Sequence, residues 1–214
     1  MPSLLAQIAE HTVGMGQLEL AAIAPALSEG FRLWTRWLPA AEASPLFAWI
    51  LATAPWEDRV FRMGAREVAI PRRIAFYGPH AYAYSGLVHA ACALPAPLED
   101  LRSRIETTTA QQFNTLLLNL YRDGADSVSW HSDDDFDHGG HPAVASLSLG
   151  ATRRFRVAHK RSRQSFGIDL ADGDLLLMEG RSQLDYRHAL PKSTAVVGPR
   201  INLTFRFMSR SNVR

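Results

Sequence analysis

From residue 114 onward apolar side chains recur at every second position, the spacing of strands with one face turned to a core. Eight candidate strands follow, 114–121, 127–131, 143–149, 153–158, 165–170, 174–179, 186–190 and 200–207, separated by turn signals such as Asp123-Gly124 and Ala171-Asp172-Gly173. The last strand is the plainest. Ile201, Leu203, Phe205 and Phe207 take one face, and Arg200, Asn202, Thr204 and Arg206 take the other. Upstream the spacing changes. Leu4, Leu5 and Ile8, then Leu18, Leu20, Ile23 and Leu27, predict two short helices broken near Gly14 and Gly16, and Phe31 to Leu38 alternates as a strand. Ser44-Pro45 reads as a helix start, a hydroxyl cap followed by proline, ahead of a stripe of Leu46, Phe47, Ile50 and Leu51 that Pro55-Trp56 ends. Residues 57–94 read as short strands separated by glycine and proline, and a helix is predicted over Pro97–Gln112. The pattern predicts an all-β core with flanking helices (α+β). Eight punctuated strands fit a jelly roll, a double-stranded β-helix whose two sheets enclose a mouth.

Composition narrows the class without naming a chemistry. The 214 residues fit one domain with a sizeable core, 47% hydrophobic and 21% charged. A net charge of +2 and a pI near 8.9 permit nucleic-acid binding without requiring it. The single cysteine, Cys92, forms no internal disulfide, no apolar run reaches membrane-spanning length, and the first residues lack a basic segment followed by an apolar one. The expectation is a monomeric cytoplasmic protein with no membrane partner.

Candidate chemistry is concentrated at the end of the stretch 116–134, in His131-Ser132-Asp133. Two residues apart on an extended segment, an imidazole and a carboxylate point the same way and suit one metal ion. A second histidine would complete a facial set of two histidines and a carboxylate, the usual host of Fe(II) in oxygenases. Alone, most such tripeptides are solvated loop residues. The arginine-bearing face of 200–206 is likewise either solvated or the lining of a cavity, where an arginine fork would clamp a dicarboxylate. Arg153, Arg154, Arg156, Lys160, Arg161 and Arg163 crowd a predicted hairpin, a solvated face or a phosphate-binding one. His138 and His141 lie in an acidic loop with Gly139 and Gly140, read as solvated because its glycines preorganise nothing.

Together and in this order, His131-x-Asp133, His188 and Arg200-Ile-Asn-Leu-Thr-Phe-Arg206 resemble the signature of the AlkB family, Fe(II)- and 2-oxoglutarate-dependent dioxygenases that oxidatively dealkylate nucleobases. Asn119-Leu120-Tyr121 resembles the family's Asn-x-Tyr strand and Ser146 to Arg153 its next core strand. His131-Ser-Asp-Asp134 and Ala145 to Arg153 are most similar to the nuclear animal DNA-repair branch. The resemblance is close from Phe113 to Phe207, weaker from Pro71 to Gly86 and thin before that. It implies a single AlkB-like domain over 1–214, with a helical extension at 1–56, a nucleotide-recognition lid at 57–94 and the jelly-roll core at 113–208. His131, Asp133 and His188 would hold Fe(II), with O2 and 2-oxoglutarate as cosubstrates. Arg200 would pair the far carboxylate of 2-oxoglutarate with Tyr121 donating to it, Arg206 and Asn119 would support the near end, and Asn202 lies on the same strand face.

For the substrate, Pro71-Arg72-Arg73 through Tyr77-Gly78 resembles a segment of the repair branch. Tyr77 or Tyr84 would stack on an extruded base, a contact of about 1–3 kcal/mol. Either could instead be a strand residue. Asp134 matches the branch's second aspartate beside the target base or is surface charge, Arg72 and Arg73 would suit a lid that grips the nucleic acid, Arg161 and Arg163 would meet phosphates, and Phe61 or Met63 would wedge the duplex. The implied reaction demethylates 1-methyladenine and 3-methylcytosine in DNA and so repairs it directly. The alternatives are a 2-oxoglutarate dioxygenase acting on RNA, a protein, a lipid or a small molecule, and a non-catalytic binding module.

Overall fold

The computed structural model describes residues 29–63, 66–84, 87–133, 143–162, 164–195 and 197–209; the two short helices predicted before Gly30 lie outside them. In chain order the elements are β1 (Phe31–Trp34), α1 (Ala40–Thr53), β2 (Glu57–Met63), β3 (Arg66–Tyr77), β4 (Tyr82–Tyr84), β5 (Leu87–His89), α2 (Ala96–Thr109), β6 (Thr115–Tyr121) and β7 (Val128–His131). Then come β8 (Val144–Gly150), β9 (Arg153–His159), β10 (Ser165–Leu170), β11 (Leu175–Met178), α3 (Ser182–Asp185), β12 (Tyr186–Leu190) and β13 (Arg200–Arg206). Each of the eight strands expected from residue 114 onward is present within one residue of its expected ends.

A major sheet of order β1-β11-β8-β13-β6-β3-β2 faces a minor sheet of order β10-β9-β12-β7, every pairing antiparallel, and β4-β5 forms a separate hairpin. This is the jelly roll the periodicity predicts. One face of the major sheet is closed by the helices: Leu46 and Ile50 of α1 and Leu98, Leu101 and Ile105 of α2 pack on Leu118, Leu147, Leu203 and Phe205. The other face meets the minor sheet through Leu176, Met178, Phe155, Val157 and Ile168. Only part of that space is apolar, because β13 turns Arg200, Asn202, Thr204 and Arg206 into the remainder. Both faces of β13 are therefore buried, and its polar residues line an interior mouth.

Two upstream expectations are corrected. Helix α1 starts at Ala40 behind Pro39, whose carbonyl accepts from the N–H groups of Glu42 and Ala43; Ser44 and Pro45 lie inside the helix and Ser44 is no cap. Residues 57–77 form two long strands that extend the major sheet rather than a series of short ones. Pro71 does not interrupt β3 because it falls where the β2 register shifts, between the Arg73↔Asp58 and Ala69↔Val60 pairs, so no ladder donor is missed there. At the 171–173 turn the sequence signal has a direct cause. Gly173 has φ +79, and a β-carbon there would lie 2.1 Å from the Leu38 carbonyl oxygen. Among the described residues no helix is long and apolar enough to cross a membrane.

Candidate active site

Register assembles the candidate metal ligands. His131 on β7 and His188 on β12 are directly paired, so both rings point between the sheets, with centroids 4.3 Å apart. Asp133 follows two residues after His131. Its Oδ1 lies 3.9 Å from His131 Nε2 and its Oδ2 3.7 Å from His188 Nε2, and one ligand atom from each residue falls within 4.8 Å of the others. A register shift between His188 and Leu190 of β12 leaves extra backbone on β7, and the Ser129 carbonyl accepts the His131 Nδ1–H at 2.8 Å. That bond fixes the tautomer with Nε2 free toward the ion. His188 is held by stacking on Phe155, centroids 5.2 Å apart. Asp133 is held by its backbone N–H, which donates to Gln183 Oε1 at 3.0 Å, and by Ser132 Oγ, which donates to the Tyr186 carbonyl.

The electrostatics suit a cation. Burial alone would raise the Asp133 carboxyl, but Arg206 Nη2 at 2.9 Å and the two histidines outweigh it and hold the group well below the usual carboxylate range. His188 is pushed down to about 4, chiefly by burial, so at neutral pH it needs no deprotonation to ligate.

A narrow cavity of about 50 Å³ runs from these ligands along β13, lined also by Asn119, Tyr121, Ser146, Asn202 and Arg200. At its far end Arg200 is 1% exposed. Its Nη2 donates to Ser148 Oγ at 2.9 Å, its guanidinium lies 5.4 Å over the Tyr121 ring, and its buried Nε has no partner. Among the described residues no carboxylate pairs with it. Burial lowers it only to about 10, so it stays charged at neutral pH. A buried cation with one neutral hydrogen bond is costly unless an anion joins it. Asn202 donates to Ser146 Oγ and the Leu147 carbonyl, and Asn119 Oδ1 accepts from Arg72 Nε at 2.8 Å.

Two histidines, a carboxylate and a buried arginine facing one cavity decide the question together with one comparison. The sequence pattern of the 2OG-Fe(II) oxygenase superfamily matches residues 30–206. The chain belongs to that superfamily. The donor set fits the superfamily's Fe(II), and the Arg200 Nε without a partner fits the distal carboxylate of 2-oxoglutarate. Among its relatives, "Alpha-ketoglutarate-dependent dioxygenase alkB homolog 3" of Mus musculus is 42% identical over 178 residues, covering 77% of this chain and 61% of that protein. "DNA oxidative demethylase ALKBH2" of Bos taurus is 36% identical over 148 residues, covering 64% of this chain and 53% of that protein. The chain thus spans somewhat over half the length of these relatives. A solved structure titled "The structure of OsALKBH1" superposes with a TM-score of 0.65 at 17% identity, over 86% of this chain and 99% of that one, a likeness of fold.

Within this fold several expected substrate contacts fall elsewhere. Tyr77 is not at the mouth. It pairs with Leu116 on the helix-facing side of the major sheet, is 5% exposed, and burial, with Cys92 nearby, pushes its phenol up. Tyr77→Ala should therefore destabilise the fold by about 3–5 kcal/mol in chemical denaturation, while Tyr77→Phe keeps both stability and turnover. Phe76, one residue earlier, is the aromatic on the cavity side, packed on Leu117 and Met208. Arg73 shares the Tyr77 face and binds the Trp56 carbonyl and Asp58, away from the site, whereas Arg72 lines the cavity and steadies Asn119. Arg153 is no phosphate ligand: 3% exposed, it donates to the carbonyls of Asp123, Asp126 and Pro191. Arg161 is exposed in the β9–β10 turn. Asp134, Arg163, His138, His141 and the side chains of Tyr84, Phe61 and Met63 lie outside the described residues. Gln183 and Ser148 were not foreseen as site residues. Ser148 had a signal, the Ser146-x-Ser148 alternation opposite Thr204 and Asn202, but Gln183 had none.

Proposed function

We propose that this chain is an Fe(II)- and 2-oxoglutarate-dependent dioxygenase that removes N-methyl groups from 1-methyladenine and 3-methylcytosine in DNA, acting as a cytoplasmic monomer. One observation carries the chemistry: the His131–Asp133–His188 set, half-buried at His131 and buried at the other two, and the unneutralised Arg200 share one cavity. The name of one relative, "DNA oxidative demethylase ALKBH2", supports DNA as the substrate class.

His131, Asp133 and His188 would hold Fe(II) on one face, and Fe(II) when bound supplies the redox chemistry that couples decarboxylation of 2-oxoglutarate to hydroxylation of the N-methyl carbon. The chain's own residues set geometry. Arg200 binds the distal carboxylate in a site closed to water, where a charge-assisted pair is strong. Tyr121 packs against that guanidinium and offers its hydroxyl. Arg206 keeps Asp133 ionised, and Ser129 keeps Nε2 of His131 directed inward. Both lesions carry the methyl on the Watson–Crick edge, which impairs pairing and lowers the cost of extrusion. Tyr84 remains the residue we assign to base stacking and Asp134 the one beside the base edge.

The test is a panel of methylated oligonucleotides with formaldehyde and succinate measured together. DNA carrying either lesion should release both products and unmodified DNA should release no formaldehyde. Product only from methylated RNA would move the substrate to RNA. No product from any nucleic acid, with brisk succinate formation on a protein or lipid extract, would overturn the reading.

A further inference from the structure

The outer face of the minor sheet carries a group that the reaction does not use. Strand β7 is the sheet's edge, and its residues alternate between the cavity and the surface. His131 turns inward, so Trp130 turns outward, where it is 40% exposed. The next two strands each bring an arginine to its ring: Arg187 of β12 has its Cζ 5.2 Å from the ring centroid and Arg156 of β9 has its Cζ 5.9 Å away. Neither has a carboxylate partner among the described residues. Other surface arginines do, including Arg154 of the same face with Asp169, Arg181 with Asp185 and Arg122 with Asp126. Beside Arg156 a shallow depression of about 490 Å³, lined by Arg154, Arg156, Ser165, Phe166, Gly167 and Pro191, continues across the face.

An exposed indole flanked by two arginines without counter-charge matches the chemistry of a nucleic-acid strand, which offers a flat base for the ring and phosphates for the guanidinium groups. We propose that Trp130, Arg156 and Arg187 form a docking platform for the single-stranded DNA that flanks the target base, Trp130 stacking on one base and the arginines binding adjacent phosphates. The assignment rests on the nucleic-acid reading above. A duplex is too stiff to round a sheet edge over so short a distance, whereas a single strand bends freely. Among the described residues no strand pairs with the outer edge of β7. Because Trp130 adjoins the ligand His131, a base seated there would set the register of the strand relative to the metal.

The experiment compares binding of the full chain to a long single-stranded DNA and a methylated trinucleotide, by fluorescence anisotropy and formaldehyde release. Trp130→Ala should weaken the long strand about tenfold and leave trinucleotide turnover unchanged, and Trp130→Phe should keep most of the affinity. Arg156→Ser and Arg187→Ser should each flatten the salt dependence by about 0.7 in log–log slope, one phosphate of a single strand. Wild-type-like binding by all four variants, with wild type demethylating DNA, overturns the platform alone. Equal losses on the trinucleotide and the long strand for Trp130→Ala also overturn it, because the residue would then act through His131. A wild type inert on every nucleic acid overturns the functional reading, and the platform with it.

Discussion

His188→Ala is expected to bring turnover down by at least about a thousandfold, several kcal/mol of barrier, and to lose iron while the protein stays folded. The histidine is buried against Phe155 but carries no net charge at neutral pH, so its removal leaves a modest gap and no uncompensated ion. What disappears is one of only two nitrogen donors, and the remaining imidazole and carboxylate no longer cap one face of the ion. Iron content after desalting and succinate formation check this together. A variant that retained tight iron and normal turnover would require a different third ligand.

Arg200→Lys should raise the 2-oxoglutarate concentration needed for half-maximal rate by about 10- to 100-fold, or roughly 1.4–2.8 kcal/mol. An ammonium keeps the charge but loses the planar fork, and it would also lose the simultaneous contact with Ser148 and the Tyr121 ring. DNA affinity should be unchanged, because the residue is 1% exposed and faces the cavity. Unaltered 2-oxoglutarate dependence alongside weakened DNA binding would place Arg200 on an outer surface and contradict the geometry.

Strand β13 was legible because its two faces differ in chemistry at every step, and Arg200, Asn202, Thr204 and Arg206 have no alternative arrangement that keeps Ile201, Leu203 and Phe205 in the core. The metal set was legible for a related reason, since His131 and Asp133 are tied by spacing alone. His188 was not tied by spacing, and only resemblance singled it out. Tyr77 was misplaced because Phe76-Tyr77 offers an aromatic to each face, and a one-residue choice of register decides which one takes the helix-facing side of the sheet. No local pattern makes that choice; the pairing with Leu116 and Leu117 does. The basic hairpin failed differently. Charge clustering along the chain says nothing about depth, and Arg153 is buried under three carbonyls while Arg154 and Arg156, on either side of Phe155, reach the surface.

The pair formed by Arg206 of the major sheet and Asp133 beside the minor one bears on how this chain could change over generations. Losing either histidine removes a nitrogen donor and leaves a stable, silent fold. Losing Asp133 breaks a buried ion pair with Arg206, a change that typically costs about 3–5 kcal/mol, a large part of what holds an ordinary domain together. A lineage drifting toward an inactive descendant would therefore shed His131 or His188 first and keep the aspartate long after its chemistry had lapsed. In such a descendant, a retained aspartate would be a relic of architecture rather than a sign of surviving catalysis.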